Sequence, residues 1–187
     1  GVGLAEAVLV QAYWLPFFAQ ALEQIGLSES LGASNPEMAA AVHPHEDEEV
    51  VGDRIRTLLT ISWDAQVEWP SAYAALNAWR TAVERVGVLV FQTGDVDMSE
   101  MRGTSIPHGP LPVILLNSND APHGRLFTLV HELVHILLTN GGHRTSPMEG
   151  QRLPEDQLLE RVSNRFAAAT LMPRAEFLAE AARHPDA

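Results

Sequence analysis

His131-Glu132-Leu133-Val134-His135 sets two histidines four residues apart with a glutamate directly after the first, which is the HExxH pattern of zinc hydrolases. On a helix turning about 100° per residue, His135 lies about 40° and Glu132 about 100° round the wheel from His131, so all three side chains leave one face. Neutral imidazoles hold Zn²⁺ at about 2.0–2.1 Å and leave a coordination position open for water. Glu132 then stands where it can take a proton from that water. Leu133, Val134, Ile136, Leu137 and Leu138 are apolar and are expected to bury the rest of the helix.

A third ligand decides the kind of site. The extended pattern HExxHxxGxxH fails, because Leu138 stands in place of its glycine and Gly141 in place of its third histidine, with His143 two positions late. Glu160 is the better candidate, on a second predicted helix. Pro154 suits the first position of that helix, and Glu155 and Asp156 complement its positive end. Leu158, Leu159, Val162, Phe166 and Ala169 or Thr170 recur at helical spacing, and Pro173 ends it. Asn164, one turn after Glu160 on the same face, is the candidate partner for the second ring nitrogen of His131 or His135. Glu149, Glu155 and Asp156 compete as carboxylates from a loop or first turn, where ligand geometry is held less firmly. The alternative for Glu160 is a solvated ion pair with Arg152, Arg161 or Arg165.

The run from Phe127 to His135, with Glu160-Arg161-Val162-Ser163-Asn164-Arg165-Phe166-Ala167-Ala168-Ala169-Thr170-Leu171-Met172-Pro173, resembles the ImmA/IrrE metallopeptidases. Their pattern reads roughly FTLAHELGH, then ExxANxFAAxLLMP. Met101-Arg102-Gly103 is similar to a family "RG" before a strand, and Val113 to Asp120 to its "IxxN" strand end. The resemblance covers about residues 50–180. It implies a zincin-like fold with His131, His135 and Glu160 as metal ligands (an HExxH…E, gluzincin-type set) and Glu132 as general base. It also implies a protein substrate, a transcriptional repressor in stress response or mobile-element control. Many members carry a helix-turn-helix domain, and none is visible here. Val134 replaces a usual glycine, Ser163 an alanine and Thr170 a leucine.

Composition agrees. The 187 residues suffice for a core that removes about 70 % of the unfolded surface from water. The absence of cysteine excludes disulfides and cysteine-bound zinc. Neither a signal peptide nor an apolar run of spanning length is evident, so the cytoplasm is the expected location and no membrane partner is expected. A net charge of −12, from 12 basic and 24 acidic residues, opposes direct nucleic-acid binding by this fragment. The acidic run Glu46-Asp47-Glu48-Glu49 reads as the first turn of a helix.

The expected fold class is α+β, mostly helical, with a small three-stranded sheet beside the HExxH helix. Residues 1–45 read as an N-terminal helix (4–25, kinked at Pro16, with Tyr13, Trp14, Phe17 and Phe18 as core or docking face) and a connecting segment (28–44), with His43 and His45 flanking Pro44 as solvent histidines. Residues 46–187 read as the peptidase domain. Helices are expected over 48–60 and 71–86, and strands over 86–92, Val113–Asn117 and near Arg102. Residues 93–112, rich in glycine and proline, are expected to form a mobile rim.

The expected reaction is metal-assisted peptide hydrolysis, the metal polarising the scissile carbonyl while Glu132 carries a proton from water to the leaving amine. Tyr73, Arg102, His108, His123, Arg125 and His143 are candidate oxyanion donors, unranked. Zinc is the expected metal, although Mn²⁺, Fe²⁺ or Co²⁺ suits the same ligands. Two alternatives stand. One is a non-proteolytic metal-binding regulator that sequesters a repressor or toxin/antitoxin partner. The other is a structural metal closed by His143, which leaves Glu132 without a role.

Overall fold

Asp47 accepts hydrogen bonds from the Glu49 and Val50 backbone N–H groups and so starts α1 (Glu48–Leu59), with Glu48 and Glu49 at the positive end of its dipole. The acidic run is thus a helix start, and its other members are paired within the chain. Glu46 bonds Arg54, Glu48 bonds Arg165, and Glu49 accepts from the Arg174 N–H. The helix ends at Thr60 in the left-handed region (φ 56°), whose N–H closes on the carbonyls of Arg56 and Thr57. The computed structural model describes residues 42–107, 112–140 and 154–183. The helix expected over 4–25 and most of the connecting segment lie outside the described residues.

Ser62 caps a short α2 (Trp63–Val67), which five residues are too few to announce by periodicity. Ser71 caps α3 (Ala72–Arg85), which buries Leu76, Trp79, Ala82 and Val83. Val86 closes that helix and Gly87 turns the chain with φ 92°. The following strand β1 therefore spans Leu89–Thr93, later than the expected 86–92. β2 (Gly103–Ile106) and β3 (Val113–Asn117) complete a sheet of order β1-β3-β2, with β1 parallel and β2 antiparallel to the central β3. As the middle strand, β3 is nearly continuously apolar and buried.

Because β1 and β2 lie on opposite sides of β3, the chain between them must cross the end of β3. The fully buried Asn117 secures that crossing, donating from Nδ2 to the carbonyls of Val96 and Met101 at 2.8 Å each. Asn119 adds a bond to the Gly94 carbonyl at 2.9 Å. Residues 94–101, expected to be a mobile rim, are instead pinned to the sheet end. This gives the Asn117 of the "IxxN" similarity a structural purpose.

Helix α4 (Pro122–Asn140) lies on β2 and β3 and contacts α3 and α5 (Pro154–Leu171). After Pro173, a further helix α6 (Arg174–Arg183) buries none of its residues. Ile55, Leu59, Trp79, Leu129, Leu133, Leu137 and Phe166 join α1, α3, α4 and α5 in one core, each contributing roughly 1.5–3 kcal/mol by leaving water. Val42 belongs to this core, so the packed body begins before residue 46. Gly52 lets α1 and α5 nearly touch, since a Cβ there would lie 2.9 Å from the Ala169 carbonyl carbon. Among the described residues no helix is long and apolar enough to cross a membrane.

Candidate metal centre

α4 is buried round almost its whole circumference: Leu129, Val130, Leu133, Val134 and Ile136 are all inaccessible to solvent. Burying polar groups on such a helix costs free energy unless they find partners. His131, Glu132 and His135 are buried or nearly so, and what they face is therefore informative.

The Nε2 atoms of His131 and His135 lie 2.9 Å apart. Glu160, from α5, brings Oε2 to 3.6 Å from the first and Oε1 to 3.4 Å from the second. One ligand atom from each of the three lies within 4.8 Å of the others. Tetrahedral bonds of zinc length would set ligand atoms about 3.3 Å apart, so the two carboxylate distances match and the ring nitrogens sit slightly close. The His131 pKa is pushed down to about 4, first by burial and then by His135, with Glu160 and Asn164 opposing. At neutral pH the ring is therefore uncharged and offers a lone pair, the state a metal ligand needs. Two imidazole nitrogens and a carboxylate converging in this way form a donor set that suits a divalent metal such as zinc, manganese or iron.

The surroundings of the rings are less complete. Asn164 lies near enough to His131 to favour its protonated form, yet His131 Nδ1 is buried without a well-formed hydrogen bond. Phe127 stacks on the His131 ring with centroids 6.2 Å apart. His135 Nδ1 stands 3.5 Å from Ser163 Oγ, so the hydroxyl that departs from the family alanine faces a candidate ligand. Glu132 points to β2, where Ser105 Oγ donates to its Oε2 at 2.6 Å. Its carboxyl pKa is raised, chiefly by burial.

These groups open on a cleft of about 730 Å³, whose walls include Met98, Met101, Arg102, Phe127 and Asn164, with His131, Glu132 and Glu160 also lining it. Of the candidate oxyanion donors, Arg102 lines this cleft, one guanidinium nitrogen held 3.2 Å from Asp120. Tyr73 and Arg125 instead pair with each other, the guanidinium 5.6 Å from the ring centroid, and Arg125 also donates to Gln92. His123 is exposed and does not line the cleft. His108, His143 and Glu149, and the side chains of Glu155 and Asp156, lie outside the described residues. Ser105 was not anticipated from the sequence. Its only signal is position, two residues beyond Gly103 and so on the same face of a strand.

The sequence model of the peptidase family described as the IrrE N-terminal-like domain matches residues 83–186, more than half of the chain. The radiation response metalloprotease IrrE of Deinococcus deserti is 43% identical over 65 residues, a stretch covering 33% of this chain and 22% of that protein. The chain thus matches about a fifth of the length of this relative. With the matched region running from the end of α3 through the sheet, the HExxH helix and α5, the chain belongs to the ImmA/IrrE family of metallopeptidases.

Proposed function

We propose that this chain is a zinc-dependent endopeptidase in which His131, His135 and Glu160 hold the metal and Glu132 is the general base. The observation that carries this reading is the convergence of three ligating atoms from α4 and α5 within 4.8 Å, beside a buried carboxylate outside that set. A divalent cation held there supplies Lewis acidity toward a carbonyl oxygen and a water. Glu132, on the same helix face, takes the proton of the attacking water and returns it to the leaving amine as the C–N bond breaks. Burial raises its carboxyl pKa, which makes it a stronger proton acceptor than a solvated carboxylate. Arg102 is the candidate to stabilise charge on the carbonyl oxygen.

The substrate in this reading is a partner protein, and the family resemblance favours a transcriptional repressor. The name of the Deinococcus relative, a radiation response metalloprotease, supports a stress-response setting. In this reading the peptidase unit takes in residues 46–187 together with Val42, which packs in its core, and is located in the cytoplasm. The test pairs elemental analysis with cleavage of a proteome-derived peptide library read by mass spectrometry. About one zinc per chain is expected, and Glu132→Gln should keep that zinc while losing cleavage by about 100-fold or more. Absence of bound metal after zinc is supplied would overturn the reading, and normal cleavage by Glu132→Gln would overturn the base assignment.

A further inference from the structure

We infer that Ser105, on strand β2, is a positioning residue that fixes the Glu132 carboxylate, and that Gly103 sets the strand close enough to do so. The inference rests on the proposed peptidase reading and deepens it. Alternate residues of a strand share a face, so Gly103 and Ser105 both look toward α4. On α4, Thr128 and Glu132 are four apart and also share a face. Two strand residues advance about 6.6 Å and four helical residues about 6.0 Å, so the two pairs can meet in register.

They do meet. A Cβ on Gly103 would lie 2.3 Å from Thr128 Cγ2, a distance that no real side chain tolerates, so the missing side chain allows β2 to approach α4. Two residues on, that approach brings Ser105 Oγ to 2.6 Å from Glu132 Oε2. With Oε2 occupied by this donor, the carboxylate cannot rotate freely, and Oε1 is left to accept a proton. The strand on the cleft side of the sheet therefore carries the part that aims the base. A serine used only to satisfy a buried carboxylate would make the same bond, so the test must separate aim from stability.

Acetohydroxamic acid is a suitable probe, because it binds a zinc centre and passes a proton to a neighbouring carboxylate. Titrating it into zinc-loaded protein should give an affinity lowered about tenfold or more by Ser105→Ala, with zinc affinity itself within about threefold of wild type. Ser105→Thr, which retains the hydroxyl, should restore the affinity. Gly103→Ala should mimic Ser105→Ala, and Thr128→Ser, which removes the opposing methyl, should rescue it. In metal-free protein the melting temperature should fall with Ser105→Ala alone and not when Glu132→Ala is already present. An unchanged hydroxamate affinity in Ser105→Ala, or an equal melting shift in both backgrounds, would overturn the inference. Failure of the wild-type chain to bind zinc would instead overturn the peptidase reading beneath it.

Discussion

Toward its C-terminal end, α5 presents the carbonyls of Thr170 and Leu171 to the side chains of Arg56 and Gln66, at 2.9 and 2.8 Å, while Arg56 also donates to Gln66 at 2.7 Å. Toward its middle, the same helix presents Glu160 and Asn164 to the histidines of α4. In the first cluster donors meet acceptors: the end of a helix, with its otherwise unused carbonyls, is closed by side chains. One guanidinium nitrogen there lacks a hydrogen bond, and the group lies 5.8 Å from the centroid of the Trp79 ring. In the second cluster two imidazole nitrogens and a carboxylate, the donor set of a divalent metal, converge from two helices. A group of side chains that closes the end of a helix has a structural purpose. A set of ligating atoms drawn from two helices is the kind of arrangement that a divalent cation holds together.

Two substitutions sharpen that contrast because they should move opposite measurements. Glu160→Ala or His135→Ala should weaken zinc binding by more than about 100-fold, beyond what loss of an outer partner causes. In metal-free protein the same Glu160→Ala should change the melting temperature by no more than about 2 °C, because the Glu160 side chain keeps 34% of its surface exposed. Titration calorimetry with zinc and thermal melts in a chelator measure both. Zinc affinity close to wild type in both variants would break the assignment of the three ligands.

Arg56→Ala should do the reverse. It removes two hydrogen bonds and leaves the Thr170 carbonyl and Gln66 short of a donor, a loss of roughly 2–3 kcal/mol. For a chain of this size that lowers the melting temperature by about 4–12 °C. Burial already disfavours the Arg56 charge, lowering its pKa, which keeps the expected loss below that of breaking a buried ion pair. Zinc affinity at 25 °C should stay within about threefold of wild type, because the substitution acts at the far end of α5. A large fall in zinc affinity with little change in melting would mean that the two clusters are not separable.

The difference between the clusters also explains what the sequence discloses. His131, Glu132 and His135 lie within five residues on one helix, so spacing alone aligns them. Glu160 needs only a second helix with a recognisable face, which Pro154, Leu159, Val162 and Phe166 provide. The α+β class and the three strands follow from similar local patterns. Ser105 and Arg56 are different: each acts through contacts 27 and 114 residues away, and nothing in their neighbourhoods marks the partner. The pinned crossing at Asn117 was missed for the same reason, since glycine and proline around it suggest looseness while the bonds that secure it span the sheet end. α6 escaped notice because it has no buried face to create a period; Phe177 and Leu178 are exposed.

A third polar group, on the surface, supplies the smallest effect and a reference for both clusters. Glu46 bonds Arg54 at 2.6 Å and accepts from the His43 N–H at 2.8 Å, and the Arg54 bond is the main cause that holds its pKa below the usual 4.5. A carboxylate whose folded pKa is depressed contributes stability above its unfolded pKa, and that contribution disappears as the pH falls through the lower folded value. The pair is partly exposed, so solvent screening limits it to under about 1 kcal/mol. Glu46→Gln in metal-free protein should therefore lower the melting temperature slightly at pH 7, by an amount that shrinks below pH 4.5 and in about 1 M salt. Melts across pH 3–7 measure it. A loss that persisted undiminished in acid and salt would place Glu46 with the Arg56 cluster, among groups whose bonding rather than charge holds the fold.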